Sequence, residues 1–285
     1  MRVTLIVNPY ASRVTPELAE QVAAALGATE TVFTEHAGHA TELAREADAD
    51  AVAVFSGDGG FNEVLNGARP ESLLGFVPGG GTSVLPRALG LPRDAVAAAR
   101  RIAEGHTRRI SLGRANGRRF GFAAGVGLDA ELVRRMDERG RDEHGQRPGD
   151  AVFAWTAVRA LTEHHLRFDP VLEVTGHGRA AFALVANSDP YSYVGRLPLR
   201  LPRGASIEGG LDLLAPRSFR ARSVPGALRY LATGRTRLPL LHLHDADLIE
   251  LRCDAPLPLQ LDGEDVGDVT EVVFEAERDA VTVLA

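Results

Sequence analysis

The sequence contains no lysine, so all 32 of its basic residues are arginine. Any cationic side-chain contact to a phosphate must therefore come from a planar guanidinium fork and not from an ammonium point charge. Cysteine is almost as scarce. The single Cys253 excludes an intramolecular disulfide and a thiolate metal cluster, and it fits a reducing compartment. No apolar run approaches the roughly 20 residues needed to span a bilayer. The opening MRVTLIVNPY has one basic residue and a short apolar run before an Asn-Pro turn. It reads as a first strand, without the longer apolar region and cleavage site of a signal peptide. A formal net charge of −6 argues against a general nucleic-acid binder, which carries a basic excess. What remains is ordinary globular composition, 45% apolar and 25% charged, in a chain long enough for two compact domains.

The first hundred residues alternate strand and helix signals. Val3 to Val7 is a short β-branched run closed by Asn8-Pro9. Thr15-Pro16-Glu17 predicts a helix start, with a cap, a proline in the first turn and an acid at the positive dipole end. Leu18, Val22 and Leu26 supply its apolar face, and Gly27 ends it. A second helix is expected near Thr41 to Ala47. Ala51 to Phe55 is a buried strand that stops at Ser56-Gly57-Asp58-Gly59-Gly60. Phe61 to Ala68 then reads as a helix and Leu73 to Val77 as a strand, ended by Pro78-Gly79-Gly80-Gly81. Asp94 caps a further helix that closes at Gly105. This alternation predicts a parallel sheet covered by helices.

Beyond about residue 107 the texture changes. Asn116-Gly117 is a hairpin signal between Ile110–Leu112 and Phe120–Ala124. Helices are expected near Leu128–Glu138 and Ala151–His165, joined by a charged, Gly- and Pro-containing loop from Arg139 to Asp150. From Val171 short strands dominate, with turns at Gly176-His177-Gly178 and Asp262-Gly263. The expected organisation is an α/β domain over residues 1–107 and a mainly antiparallel β domain over residues 108–285. The last strand, about 280–285, is free in this scheme to return to the first domain.

The two glycine loops carry the chemistry. Each follows a buried strand and precedes a helix, at the carboxyl edge of a parallel sheet where open α/β folds bind ligands. Glycines let the backbone approach a phosphate, and free amides at a helix start attract its charge. Neither loop is a P-loop, since no Gly-Lys-Ser/Thr follows, and neither is a dinucleotide fingerprint. Asp58, inside the first loop, suits a magnesium ion or a sugar hydroxyl between itself and a phosphate. Its alternative role is to cap the next helix.

Ser56-Gly57-Asp58-Gly59-Gly60-Phe61-Asn62-Glu63-Val64-Leu65-Asn66-Gly67 resembles the signature GGDGTxNEVxNG of the diacylglycerol kinase catalytic-domain family. That family includes bacterial lipid kinases and sphingosine and ceramide kinases. Asn8-Pro9 resembles its opening motif, Pro78 to Pro92 its third, and Leu261-Asp262-Gly263-Glu264 its late D-G-E. The resemblance implies an N-terminal domain like that of NAD kinases and phosphofructokinases, a β-rich second domain, and an active site in the cleft between them. It implies that ATP contacts Asn8, Pro9, Tyr10, Ala11, Ser12 and Thr34. Further nucleotide contacts would come from Gly57, Asp58, Gly59, Gly60, Phe61, Asn62 and Glu63, and from Gly80, Gly81 and Thr82. Glu264 would be the base that takes a proton from a lipid hydroxyl, with Asp262 and Asp58 completing the catalytic set.

The sequence departs from the family pattern at several positions. Ser56 and Gly60 stand where Gly and Thr are usual, and Ser83 and Val84 where Asn-Asp is common. A structural magnesium site is implied at Ser206, Glu208 and Leu211, but Gly209 replaces an acid there. The implied activity is an ATP- and Mg2+-dependent lipid kinase of phospholipid metabolism, cytoplasmic and peripherally bound to membrane. Its alternatives are a kinase of a soluble metabolite such as NAD, or a catalytically silent lipid- or nucleotide-binding protein.

Smaller features have plainer readings. His242 and His244 share a strand face without a third ligand, which suits exposed histidines. Glu163-His164-His165 ends a helix, where the dipole favours histidine. Met136 and Trp155 are expected to pack in the core. From Arg196 to Arg237 nine arginines face only Glu208 and Asp212, a local excess of seven positive charges in an acidic protein. With Leu197, Leu199, Leu201, Phe219, Leu228 and Tyr230 interspersed, the segment suits either an anionic bilayer or a solvated surface of scattered ion pairs.

Overall fold

The structure, a computed structural model, describes residues 1–138, 150–195 and 197–285. The loop expected from Arg139 lies outside the described residues, as does Arg196.

In the N-terminal α/β domain the chain runs β1 (Val3–Val7), α1 (Pro16–Leu26), β2 (Glu30–Phe33), α2 (His39–Glu46), β3 (Ala51–Ser56), α3 (Asp58–Gly67), β4 (Leu73–Pro78), α4 (Val84–Ala88) and α5 (Ala95–Ala103). The four strands pair in parallel in the order β4-β3-β1-β2. Every residue of β1 and β3 is buried, as continuous apolar runs must be when helices cover both faces. The expected caps hold the helices. Thr15 accepts the Leu18 amide at 3.2 Å with Pro16 in the first turn, Gly27 closes α1 at φ 67°, and Asp94 accepts the Ala97 amide at 2.8 Å.

The C-terminal domain begins with β5 (Thr107–Ala115), β6 (Arg118–Phe120), β7 (Ala123–Val126), α6 (Leu128–Glu138) and α7 (Asp150–Glu163). Short strands follow: β8 (Arg167–Phe168), β9 (Leu172–Val174), β10 (Gly178–Ala180), β11 (Ala183–Ala186), β12 (Ser192–Val194), β13 (Leu197–Leu199), β14 (Leu211–Pro216) and β15 (Phe219–Arg220). A 3-10 turn (Ala221–Ser223) leads into α8 (Val224–Thr233), and β16 (Leu240–Ala246), β17 (Leu248–Leu261) and β18 (Glu264–Leu284) complete the chain. Strands β16-β14-β11-β7-β17-β18 are neighbours in antiparallel order. The 21-residue β18 is the seam. It pairs antiparallel with β17 and β5, then runs parallel to β4 through Thr282 and Val283, so one sheet passes through both domains.

Two tight hairpins fix what reaches the cleft. Asn116 and Gly117 join β5 to β6 at φ 46° and 91°, and Asp262 and Gly263 join β17 to β18 at φ 50° and 81°. Positive φ at both central residues is the two-residue turn that matches strand twist. The core expectation fails at Trp155, which is 64% exposed on α7, whereas Met136 is buried. An isolated apolar residue on a helix does not reveal which face the tertiary structure covers.

Candidate active site

The loops after β1, β3 and β4 open on one cleft of about 940 Å3, closed on its other side by the β17–β18 turn, α6 and the segment around β12. Asn8, Tyr10, Ala11, Ser12, Thr34, Gly57, Asp58, Gly59, Gly60, Glu63, Gly80, Gly81, Thr82, Asp262 and Glu264 all line it. Three residues expected there do not. Pro9 faces solvent, Phe61 is core with its ring edge-on to Phe76, and Asn62 is buried behind the cleft wall.

The glycine loops meet backbone to backbone. A Cβ on Gly80 would stand 2.8 Å from the Cα of Gly57, so a side chain there would push the loops apart. Asp58 braces the same junction, its Oδ1 accepting the Val84 amide at 2.7 Å. Its carboxylate thus caps α4 across the loop junction. Ser83, at φ 48°, closes the second turn through Oγ, which accepts the Gly80 amide at 3.2 Å. Asn8 Oδ1 accepts the Tyr10 amide at 2.9 Å, an Asx-turn that shapes the first loop. Glu63 accepts the Gly38 and Ala40 amides at 2.9 and 3.0 Å and caps α2. Two acids in the loop region thus hold amides in place, each through its carboxylate.

The C-terminal domain supplies the reactive edge. Glu264 opens β18, and its Oε1 lies 2.2 Å from where a Cβ on Gly59 would be. Only a glycine at 59 lets this carboxylate lie directly over the start of α3. Arg118 Nη2, from β6, donates to Glu264 Oε2 at 3.1 Å and to Asn62 Oδ1 at 3.2 Å. Asp262 is differently engaged. It is 4% exposed, and its oxygens accept the amides of Gly121, Phe122 and Ala123 at 2.6, 2.9 and 3.1 Å and Asn62 Nδ2 at 2.9 Å. Burial pushes its pKa up, and the four donors, which favour the charged form, pull it back. With every bond spent on the protein, Asp262 locks α3 to the hairpin that presents Glu264. It is a positioning residue.

Three groups lining the cleft carry no motif. Asp129, in the first turn of α6, accepts from Tyr191 Oη and Gln260 Nε2, both at 2.7 Å, and burial pushes its pKa up. Arg13 and Arg93 also line the cleft and bring positive charge beside the glycine loops, in the guanidinium form the absence of lysine requires. The hairpin turn at Asn116-Gly117 was the available signal for Arg118, since it fixes which residues begin β6. Nothing local marks Asp129 or Gln260, which meet only in the folded chain.

The implied structural magnesium site does not fit the residues present. Glu208 pairs with Arg108, Asp212 with His244, and Asp245 accepts the Gly210 amide at 2.6 Å and Arg278 Nη1 at 2.9 Å. Each acid already has a side-chain partner, arginine for Glu208 and Asp245 and histidine for Asp212, and Leu211 opens β14 in register with Ala246. Arg278 crowds the turn so closely that a Cβ on Gly210 would stand 2.8 Å from its Nη2. His242 and His244 are both exposed, as expected for strand histidines without a third ligand.

A nucleotide-type α/β lobe joined by a shared strand to an antiparallel lobe is a known fold. The chain superposes with a TM-score of 0.69 on the crystal structure of a diacylglycerol kinase from Bacillus anthracis, at 21% identity over 99% of this chain and 96% of that one. It also superposes at 0.51 on an NAD kinase from Archaeoglobus fulgidus in complex with ATP, at 12% identity over 100% of this chain and 94% of that one. The resemblance read from the motifs is borne out: residues 2–115 match the family model of the diacylglycerol kinase catalytic domain. A diacylglycerol kinase from Bacillus subtilis is 41% identical over 112 residues, a match covering 37% of this chain and 37% of that relative. The aligned stretch is thus well under half of either protein.

Proposed function

We propose that the protein is a lipid kinase that transfers the γ-phosphate of ATP to a hydroxyl of a membrane lipid, diacylglycerol-like or sphingoid. The observation that carries this reading is the placement of the Glu264 carboxylate over Gly59, at the mouth of the two glycine loops. Phosphoryl transfer asks for this arrangement, with amides and cations for the phosphates and a base aimed at the acceptor oxygen.

In this scheme the loops at Gly57–Gly60 and Gly80–Thr82, with Arg13 and Arg93, cradle the triphosphate. Magnesium bound with the triphosphate would neutralise its charge, and Asp58 is the loop acid placed to hold it. Glu264 accepts the proton of the acceptor hydroxyl as its oxygen bonds to the γ-phosphorus. The bond from that phosphorus to the β–γ bridging oxygen breaks, and ADP leaves. Arg118 donates to the Glu264 carboxylate and aims it at the gap. Asp262 and Asn62 fix both groups to α3.

Purified protein incubated with labelled ATP, magnesium and a panel of lipids, read by mass spectrometry, tests the reading. A labelled lipid with wild type, and loss of at least about 100-fold with Glu264→Gln, is the expected outcome for a general base. Label on NAD and on no lipid would turn the reading to a soluble-metabolite kinase. ATP binding by calorimetry without turnover on any acceptor would turn it to a silent binding protein.

A further inference from the structure

Helix α8 is apolar on its outer side as well as its inner one, which is unusual for a surface helix. A helix on a globular protein buries an apolar stripe and shows its polar face, yet no residue of α8 is buried. Its exposed positions include Pro225, Leu228, Leu231 and Ala232, with Leu228 60% and Leu231 39% accessible. Spacings of three and four place these on one outward side. Along the chain the charge of this segment has a single sign, although Arg220 is paired with Asp169 just past β8. Residues 213–244 contain no acid, and Arg217, Arg220, Arg222, Arg229, Arg235 and Arg237 lie among them in a protein of net charge −6. An apolar strip bordered by arginines is the composition of an interfacial helix, with leucines entering the acyl boundary and guanidinium groups meeting lipid phosphates.

The helix is also tied to the cleft. Arg203 donates to the Leu231 carbonyl, and Arg200 Nη1 and the Gly204 amide bond the Asp189 carboxylate at 2.8 and 3.2 Å. The chain between these anchors holds Tyr191, Ser192, Tyr193 and Leu199, all on the cleft wall. Arg87 stacks on the Tyr193 ring at 3.1 Å and bonds the Gly195 carbonyl, fixing that wall to the N-terminal domain. Leu197, 72% exposed, projects from the same β12–β13 hairpin. Contact with a surface through α8 and Leu197 would bring the cleft wall beside that surface.

We infer that the outward face of α8, with Leu197 and the flanking arginines, docks on an anionic lipid bilayer. The inference rests on the lipid-acceptor reading, because a lipid alcohol must be collected where it resides. The dock supplies both the approach and the orientation of the cleft.

Co-sedimentation of the full chain with vesicles of phosphatidylcholine alone, and of phosphatidylcholine with phosphatidylglycerol, tests it. Binding is expected to the anionic vesicles and to weaken as salt rises. Each of Arg222, Arg229 and Arg235 changed to Gln should weaken binding about fivefold. Leu228→Glu with Leu231→Glu should weaken it at least about tenfold, while the melting temperature stays at the wild-type value because both positions face solvent. Equal binding to neutral vesicles, or wild-type binding by the leucine variant, overturns the inference. So does a concentration-dependent dimer that the leucine variant abolishes, which would assign the face to a second copy of the chain. Phosphorylation of a detergent-dispersed lipid without vesicle binding would remove the dock and leave the kinase. Vesicle binding with no lipid phosphorylated would do the reverse.

Discussion

Gly60→Thr, which restores the residue usual in the family signature, should damage this protein unless Ser56 is changed with it. A Cβ at position 60 would lie 2.2 Å from Ser56 Oγ and 2.7 Å from Ser56 Cβ. Ordinary carbon contacts begin near 3.5 Å, so the overlap with Cβ is close to a full ångström. Rotation of the serine hydroxyl relieves the first contact but not the second. Ser56 ends a fully buried strand and is itself 1% exposed, so it cannot withdraw. Overpacking of this kind costs about 1–3 kcal/mol. Ser56→Gly alone should change stability by less than about 1 kcal/mol. It removes a buried hydroxyl that has no hydrogen-bond partner among the described residues, against the entropy of a new strand glycine. The double variant should recover most of the loss, giving a coupling of about 1–3 kcal/mol in a double-mutant cycle. Urea unfolding measures the cycle, and calorimetric ATP titration shows whether the loop keeps its shape. A Gly60→Thr protein as stable as wild type would refute the reasoning, as would a double variant no better than the single one. On this reading the two departures are one compensated exchange, and the loop is intact.

Four further outcomes follow from the same geometry. Asp262→Asn turns an NH2 group toward donors already present, leaves at least one unsatisfied, and should cost about 2–4 kcal/mol in urea unfolding. A cost below about 0.5 kcal/mol would remove its positioning role. Arg118→Gln takes from Glu264 and Asn62 the guanidinium that aims the carboxylate, so kcat should fall at least about tenfold with ATP binding by calorimetry unchanged, and a wild-type kcat would separate Arg118 from the base. EDTA should leave the melting temperature of the ligand-free protein unchanged, because the acids near Gly209 are already paired with Arg108, His244 and Arg278. Arg278→Gln should lower it. Burial pushes the Cys253 thiol from 9.0 to about 11, with Asp254 adding to the shift. At neutral pH its alkylation by iodoacetamide should therefore run about 100-fold slower than that of a free thiol with the ordinary value.

Local chemistry wrote its own signals into the chain. The Thr15 and Asp94 caps, the Gly27 stop, the paired positive-φ turns and the apolar runs of β1 and β3 are each settled within a few residues, so their patterns predict the elements directly. The glycine loops were equally plain, because only glycine permits the contact between positions 57 and 80. Trp155 shows the limit. Its neighbours allow a helix, but whether that helix turns the ring inward depends on what packs over it. Asp262 shows the same limit at the site. Its motif suggested chemistry, and the four donors that spend its carboxylate come from positions 62 and 121–123.

By itself, then, the sequence determined the alternation of strands and helices, the loops bare enough to take phosphates, and the turn that presents Glu264, since backbone preference and side-chain size act at short range. Only the tertiary structure decided that Glu264 lies over Gly59 beside Arg118, and that Asn62 and three amides bind the Asp262 carboxylate. Those are contacts between residues far apart in the chain, 200 positions in the case of Asn62 and Asp262, and they exist only once β18 has drawn both domains into one sheet.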